Sequence, residues 1–221
     1  MTTAEKIYTS LCILFSVLLV IGNLTYQKFV SLPLPFHTFQ LSVGAVLYPL
    51  TFLLTDLIAE FYGKERANFC VRFAIIVNTL AAFIIAGMSI LEATRWSKID
   101  DATFHKVFGF YSIAFMGSLI ACYTAQAVDI ILYLWIRKLT NGKHLWLRNN
   151  GSTAISLFID TTIVIGFMTA FGILPPEHMS LLIYNSYLYK LFFTICSTPL
   201  FYGGVWVMTF ATARTTPAAL K

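Results

Sequence analysis

Five ionisable side chains stand where the chain is otherwise apolar: Asp56, Glu60, Asp129, Asp160 and Lys190. Carboxylates and an ammonium in such a setting can do three kinds of work. They can grip a polar solute through charge-assisted hydrogen bonds, carry a proton, or act as hard oxygen ligands for Mg²⁺ or Ca²⁺. A charge at the centre of a membrane helix costs about 2.5–3.5 kcal/mol on insertion scales, so each of these groups needs a partner, water or a purpose. A single lysine cannot neutralise the acids around it. The surplus carboxyls must be protonated, hydrated or matched by something that comes and goes.

Helical spacing gives each ionisable group polar or aromatic neighbours on its own face. Asp56 and Glu60 align with Ala45, Pro49 and Phe52; Asp129 aligns with Cys122, Gln126 and Tyr133. Asp160 aligns with Thr153 and Ser156, Lys190 with Tyr187, Thr194 and Ser197, and the first apolar run offers Ser16, Asn23 and Gln27. Asp56 lies about 9 Å, and Asp129 and Asp160 about 12 Å, from one membrane face; Lys190 lies about 14 Å from the other. Four helices therefore deliver titratable groups to one narrow layer. The candidate binding set is Asn23, Asp56, Glu60, Gln126, Asp129, Tyr133, Asp160, Tyr187 and Lys190. A purely structural reading pairs Lys190 with Asp160 or Asp129, uses Gln126 to link two helices, and places Glu60 at the interface against Lys64.

The elements that must carry these groups are membrane helices. Apolar residues make up 58% of the chain and charged residues 11%, against about 25% charged in soluble domains. Apolar runs of membrane-spanning length fall at about 7–26, 41–62, 69–91, 110–136, 152–174 and 181–210. They lack period-two alternation, which predicts an all-α integral membrane protein with six helices in one bundle over residues 1–221. Pro49, Pro199 and Gly203-Gly204 mark kinks. Residues 28–40, with Pro33 and Pro35, read as an extended, irregular cap, and Asn149-Asn150-Gly151 as a turn before the fifth span. The first run has no small-x-small cleavage site and reads as a retained span.

Ten basic residues fall on one side: Lys6, Lys64, Arg66, Arg72, Arg137, Lys138, Lys143, Arg148, Arg214 and Lys221. Four fall on the other: Lys28, Arg95, Lys98 and Lys106. This bias predicts that both termini are cytoplasmic, with Trp135, Trp146 and Trp206 at the inner interface and Trp96 at the outer one. The net charge of +5 thus belongs to topology and anionic headgroups, not to nucleic acid. Cys12, Cys70, Cys122 and Cys196 have no metal-like spacing and read as packing residues. His37, His105, His144 and His178 form no paired metal motif, and neither a phosphate-binding glycine loop nor a Gly-x-Ser-x-Gly elbow is present.

Taken in order, Asn23 and the runs YPLTFLLTDLIAEFYGKERA (48–67), AQAVDIILYLWIRKL (125–139), STAISLFIDTT (152–162) and YKLFFTICSTPLFYG (189–203) resemble the bacterial queuosine precursor transporters, also called vitamin uptake transporters. The resemblance implies a multi-pass inner-membrane protein that imports 7-deazaguanines such as preQ0, preQ1 or queuine for tRNA modification. It implies a homodimer, no cofactor and no enzymatic activity. A 7-deazaguanine presents adjacent N–H and NH₂ donors beside one carbonyl. A carboxylate accepts both donors at once, and an amide or ammonium donates to the carbonyl. On that reading Asp129 or Asp160 takes the guanine-like edge, Gln126 or Lys190 meets the carbonyl, tyrosines cover the ring, and Asp56 matches the amine of preQ1 or queuine. An acid in this layer could also carry a proton, making the protein a symporter; facilitated diffusion needs no such step. Two alternatives remain: a substrate-capture subunit of an ATP-driven uptake complex, and an intramembrane enzyme whose acids hold a metal.

Overall fold

The computed structural model describes residues 2–26, 28–35, 37–108, 111–172 and 174–213. Gln27, Arg214 and Lys221, and the start of the fourth run at Phe110, lie outside them. Helix α1 (Thr3–Thr25) opens with a reciprocal cap: Thr2 Oγ1 accepts from Glu5 N at 3.2 Å, and Glu5 accepts from Thr2 N at 2.8 Å. Two free N–H groups are thereby satisfied. Strands β1 (Phe29–Leu34) and β2 (His37–Ser42) follow, then a single turn of helix α2 (Val43–Val46), helix α3 (Tyr48–Met88), helix α4 (Asp101–Phe108), helix α5 (Tyr111–Leu139), helix α6 (Leu145–Ala170), a 3₁₀ turn at Pro176–His178, and helix α7 (Met179–Ala213). Among the described residues, five helical stretches are long and apolar enough to cross a membrane.

The second of these stretches is the informative one. A 46-residue stretch, Val43–Met88, would extend roughly 70 Å, more than twice a bilayer core. It is broken at Gly63, whose φ of 80° and ψ of 178° are non-helical. The two limbs run along α1 in opposite senses. Before the break, Gly44 meets Gly22, and Tyr62 Oη donates to Ala4 O at 2.7 Å. After it, Tyr8 Oη donates to Arg66 O at 3.0 Å, and Ile75 and Ala82 pack beside Leu24. Residues from both limbs, among them Leu57, Ile58, Cys70 and Ala74, join Phe15 and Leu19 of α1 in one core cluster. The chain reverses where glycine alone readily takes the required backbone angles.

Two local expectations are corrected. Residues 28–40 are not an irregular cap: Phe29–Leu34 and His37–Ser42 form a regular antiparallel hairpin, from Phe29 opposite Ser42 to Leu34 opposite His37. Pro33 is tolerated because both strands of a two-stranded ribbon are edges. Phe39 and Leu41 of β2 are buried against Tyr189 of α7, which anchors the hairpin on the bundle. Asn149-Asn150-Gly151 is not a turn but lies within α6. The turn comes earlier, at Asn141 (φ 49°), Gly142 (φ 76°) and His144 (φ 57°). Asn150 is held in the helix by Thr198 of α7, whose Oγ1 lies 3.0 Å from the amide nitrogen. Pro199 lies inside α7, which continues to Ala213. Packing by neighbouring helices offsets the lost backbone bond.

A side chain at Gly63 would meet nothing within 4 Å, so Gly63→Ala tests backbone strain alone. It is expected to lower stability by about 1–3 kcal/mol. Gly44→Ala should cost at least as much for a different reason, because its Cβ would collide with the backbone carbonyl of Gly22. Denaturant unfolding of the purified protein in detergent reads both.

Candidate functional site

Helix α6 brings Asp160 to the centre of the bundle, and α7 brings Lys190 to meet it. Lys190 Nζ donates to Asp160 Oδ2 at 2.8 Å and to Thr161 Oγ1 at 3.2 Å. Tyr48, on the first turn of α3, donates its hydroxyl to Asp160 Oδ1 at 2.6 Å. The Tyr48 ring lies under the ammonium, 4.4 Å from centroid to Nζ, close enough for a cation–π contact. Both charged side chains are buried, at 7% and 2% exposure, so removal of either would strand the other.

This group forms one wall of a cavity of about 90 Å³ that lies between α1, α3, α6 and α7. Only ~10–15 Å³ is needed for one water. Its polar wall comprises Asn23, Tyr48, Thr51, Asp160, Thr161 and Lys190; Leu19, Val164, Ile165 and Met168 give it an apolar wall. Asn23 is oriented by Ser118 of α5, whose Oγ donates to Asn23 Oδ1 at 2.6 Å. That leaves Asn23 Nδ2 as a buried donor with no hydrogen-bond partner among the described residues.

The other predicted site residues lie elsewhere. Asp56 of α3 and Asp129 of α5 are electrostatic neighbours, both fully buried, and neither lines the cavity. Thr153 Oγ1 lies 3.3 Å from Asp56 Oδ2. Among the described residues, Asp56 Oδ1 and both oxygens of Asp129 have no hydrogen-bond partner. Gln126 accepts from Thr55 Oγ1 at 2.8 Å through Oε1, while its Nε2 is unpartnered among the described residues. Tyr187 packs near Phe52 and Leu157 and edge-on to Phe158.

Glu60 does not pair with Lys64. It belongs to a third group, at the Gly142 end of α5 and α6. Arg148 Nη2 bonds Glu60 Oε1 at 2.6 Å, Tyr133 Oη donates to Oε2 at 3.0 Å, and Arg137 Nη1 lies 3.8 Å from Oε2. Arg148 Nη1 also donates to Gly142 O at 2.8 Å, and Nε to Tyr133 Oη at 3.3 Å. Arg148 is 3% exposed, although its place in a basic stretch reads as a solvated loop charge.

Sequence reasoning missed Tyr48, Ser118, Thr161 and Arg148. Tyr48 was legible in principle: it lies eight residues, two helical turns, before Asp56. Arg148 was concealed because its helix begins at Leu145 and not after Gly151. Among the described residues, no group of three or more His, Cys, Asp and Glu is placed to hold a metal ion.

Residues 42–204 match the family model described as "Putative vitamin uptake transporter". A protein of Bacillus subtilis named "Probable queuosine precursor transporter" is 31% identical over 165 residues, covering 73% of this chain and 70% of that protein. A Haemophilus influenzae protein of the same name is 25% identical over 160 residues, covering 72% of this chain and 65% of that protein. No solved structure matches the chain.

The Glu60–Arg148 contact should be a stability determinant. Arg148→Met removes the shortest and most buried ion-pair partner of Glu60, leaving Tyr133 and Arg137 on its other oxygen, and is expected to cost about 2–3 kcal/mol. Adding Glu60→Gln should recover part of that loss, and a double-mutant cycle in detergent measures the coupling.

Proposed function

The chain belongs to the vitamin uptake transporter family, and from that premise we propose that it imports queuosine precursors, 7-deazaguanines such as preQ0, preQ1 or queuine, across a bacterial inner membrane for tRNA modification. The observation that carries this reading is the cavity wall, where a carboxylate, an ammonium, a free amide donor and an aromatic face meet. The guanine-like edge pairs with Asp160, whose oxygens accept its adjacent N–H and NH₂. Lys190 then turns from Asp160 to the substrate carbonyl, and Tyr48 releases its hydroxyl bond while its ring covers the base. Asn23 Nδ2 serves a further acceptor on the ligand. The substrate thus replaces internal hydrogen bonds with its own, which keeps both charged groups hydrogen-bonded while the site is loaded. Asp160 is favoured over Asp129 for this role because Asp129 does not line the cavity.

The proposed topology is six crossings in one bundle with both termini cytoplasmic. It is supported by the reversal at Gly63 and by the bias of basic residues. The cavity then lies in the outer half, beneath the β1–β2 hairpin, and the Glu60–Arg148 group closes the cytoplasmic side.

Binding of labelled preQ0, preQ1 and queuine to the purified protein tests the substrate class. Lys190→Met and Asp160→Asn are each expected to weaken binding about 10- to 100-fold, the value of a hydrogen bond to a charged group. Absence of binding to all three compounds would remove the assignment. Uptake into liposomes holding this chain alone would eliminate a dependence on an ATP-driven complex. In a background without native cysteines, Ser97→Cys should react with an impermeant maleimide added outside intact cells, whereas Lys143→Cys should react only after permeabilisation.

A further inference from the structure

We propose that Asp56 and Asp129 form a binding site for one monovalent cation, a proton or a sodium ion, separate from the substrate cavity. The inference rests on the transport reading for its purpose but not for its chemistry. The two carboxyls approach from α3 and α5, each at no more than 1% exposure. Three of their four oxygens have no hydrogen-bond partner among the described residues. Two bare carboxylates side by side, away from water, are not a tenable state: each lacks hydration, and they repel each other. One positive charge held between them removes both costs.

Helix α6 supplies an independent sign of a ligand. Ser152 is fully buried beside Asp129, and its hydroxyl has no hydrogen-bond partner among the described residues. Thr153 reaches Asp56 from the same turn, and Ser156 lies beside Asp129 one turn on. Three helices therefore turn oxygens toward one point. A sodium ion takes such oxygens; a proton needs only the paired carboxyls.

Among the described residues, no protein cation already fills the role. Glu60, on the same helix as Asp56, adds negative charge and is itself bonded to Arg148 of α6. Tyr133 of α5 is bonded to Glu60, and Lys190 of α7 is bonded to Asp160. The ion pair of the cavity is internally balanced, whereas the Asp56–Asp129 pair is not. A labile cation at the second pair would let an ion gradient drive movement through the first.

The test begins without substrate. Melting of the purified full chain is followed in sodium, potassium or N-methylglucamine chloride at fixed ionic strength, from pH 5 to 8. Wild type is expected to gain about 5 °C or more in Tm from sodium or from acidification, and Asp129→Asn and Asp56→Asn to lose that response. Ser152→Ala should weaken a sodium response and leave a proton response intact, which separates the two ions. A wild-type Tm that moves no differently from that of the Asn variants under every condition overturns the site. Liposomes then separate the two claims. Asp129→Asn should lose gradient-driven uptake of labelled preQ1 by at least about tenfold but keep exchange at equal concentrations. If wild type responds to the cation yet carries no 7-deazaguanine, the cation site stands and the substrate assignment fails. If it carries substrate while the wild-type Tm matches those of the Asn variants in every cation and at every pH, the cation site is wrong and the substrate assignment stands.

Discussion

A charge inside a bilayer must find its counter-charge on another helix, and the rest of this structure follows from that requirement. Lys190 of α7 is answered by Asp160 of α6, and Glu60 of α3 by Arg148 of α6. These pairs fix the rotation of α3, α6 and α7 about their axes, which apolar packing alone would leave loosely specified. The lipid side supplies no such restraint. Phe69, Ile76, Leu80 and Phe83 lie exposed along the second limb of α3, where any apolar side chain would serve equally well.

The same constraint divides the polar layer into three parts. The Asp160–Lys190 group borders open space, the Asp56–Asp129 pair lies packed away from it, and the Glu60–Arg148 group ties α3 to α5 and α6 near their Gly142 end. Of the three, the first is the charged group that lines the cavity. Its charges are satisfied internally when the cavity holds nothing, so the site is stable empty and can still exchange partners.

The intramembrane acids and the lysine were legible because they violate an otherwise apolar pattern, and helical spacing gave Gln126 and Tyr133 as their neighbours. What spacing could not give was which faces turn toward which. The sequence puts Asp129 and Asp160 at similar depths, but Asp129 lies beside Ser152 and Ser156, one to two turns before Asp160 on α6, so one faces a second acid and the other faces the cavity. That choice is made by interhelical packing, such as Gly117 against the Phe167 ring between α5 and α6. The hairpin was missed because two prolines in thirteen residues read as irregular, while an edge strand accepts them. Arg148 was missed for a related reason. Asn141-Gly142 and Asn150-Gly151 carry the same local turn signal, and tertiary contacts decide which one turns.

The partnership of Glu60 with Arg148 also has a bearing on biogenesis. Glu60 leaves the ribosome 88 residues ahead of the arginine that answers it. Until α5 brings Arg137 and α6 brings Arg148, the first limb of α3 carries an uncompensated acid at the membrane. The early hairpin of helices therefore cannot settle into its final position, and the insertion machinery must shelter it or leave it at the water boundary. The first half of this protein becomes a finished membrane structure only when the second half arrives.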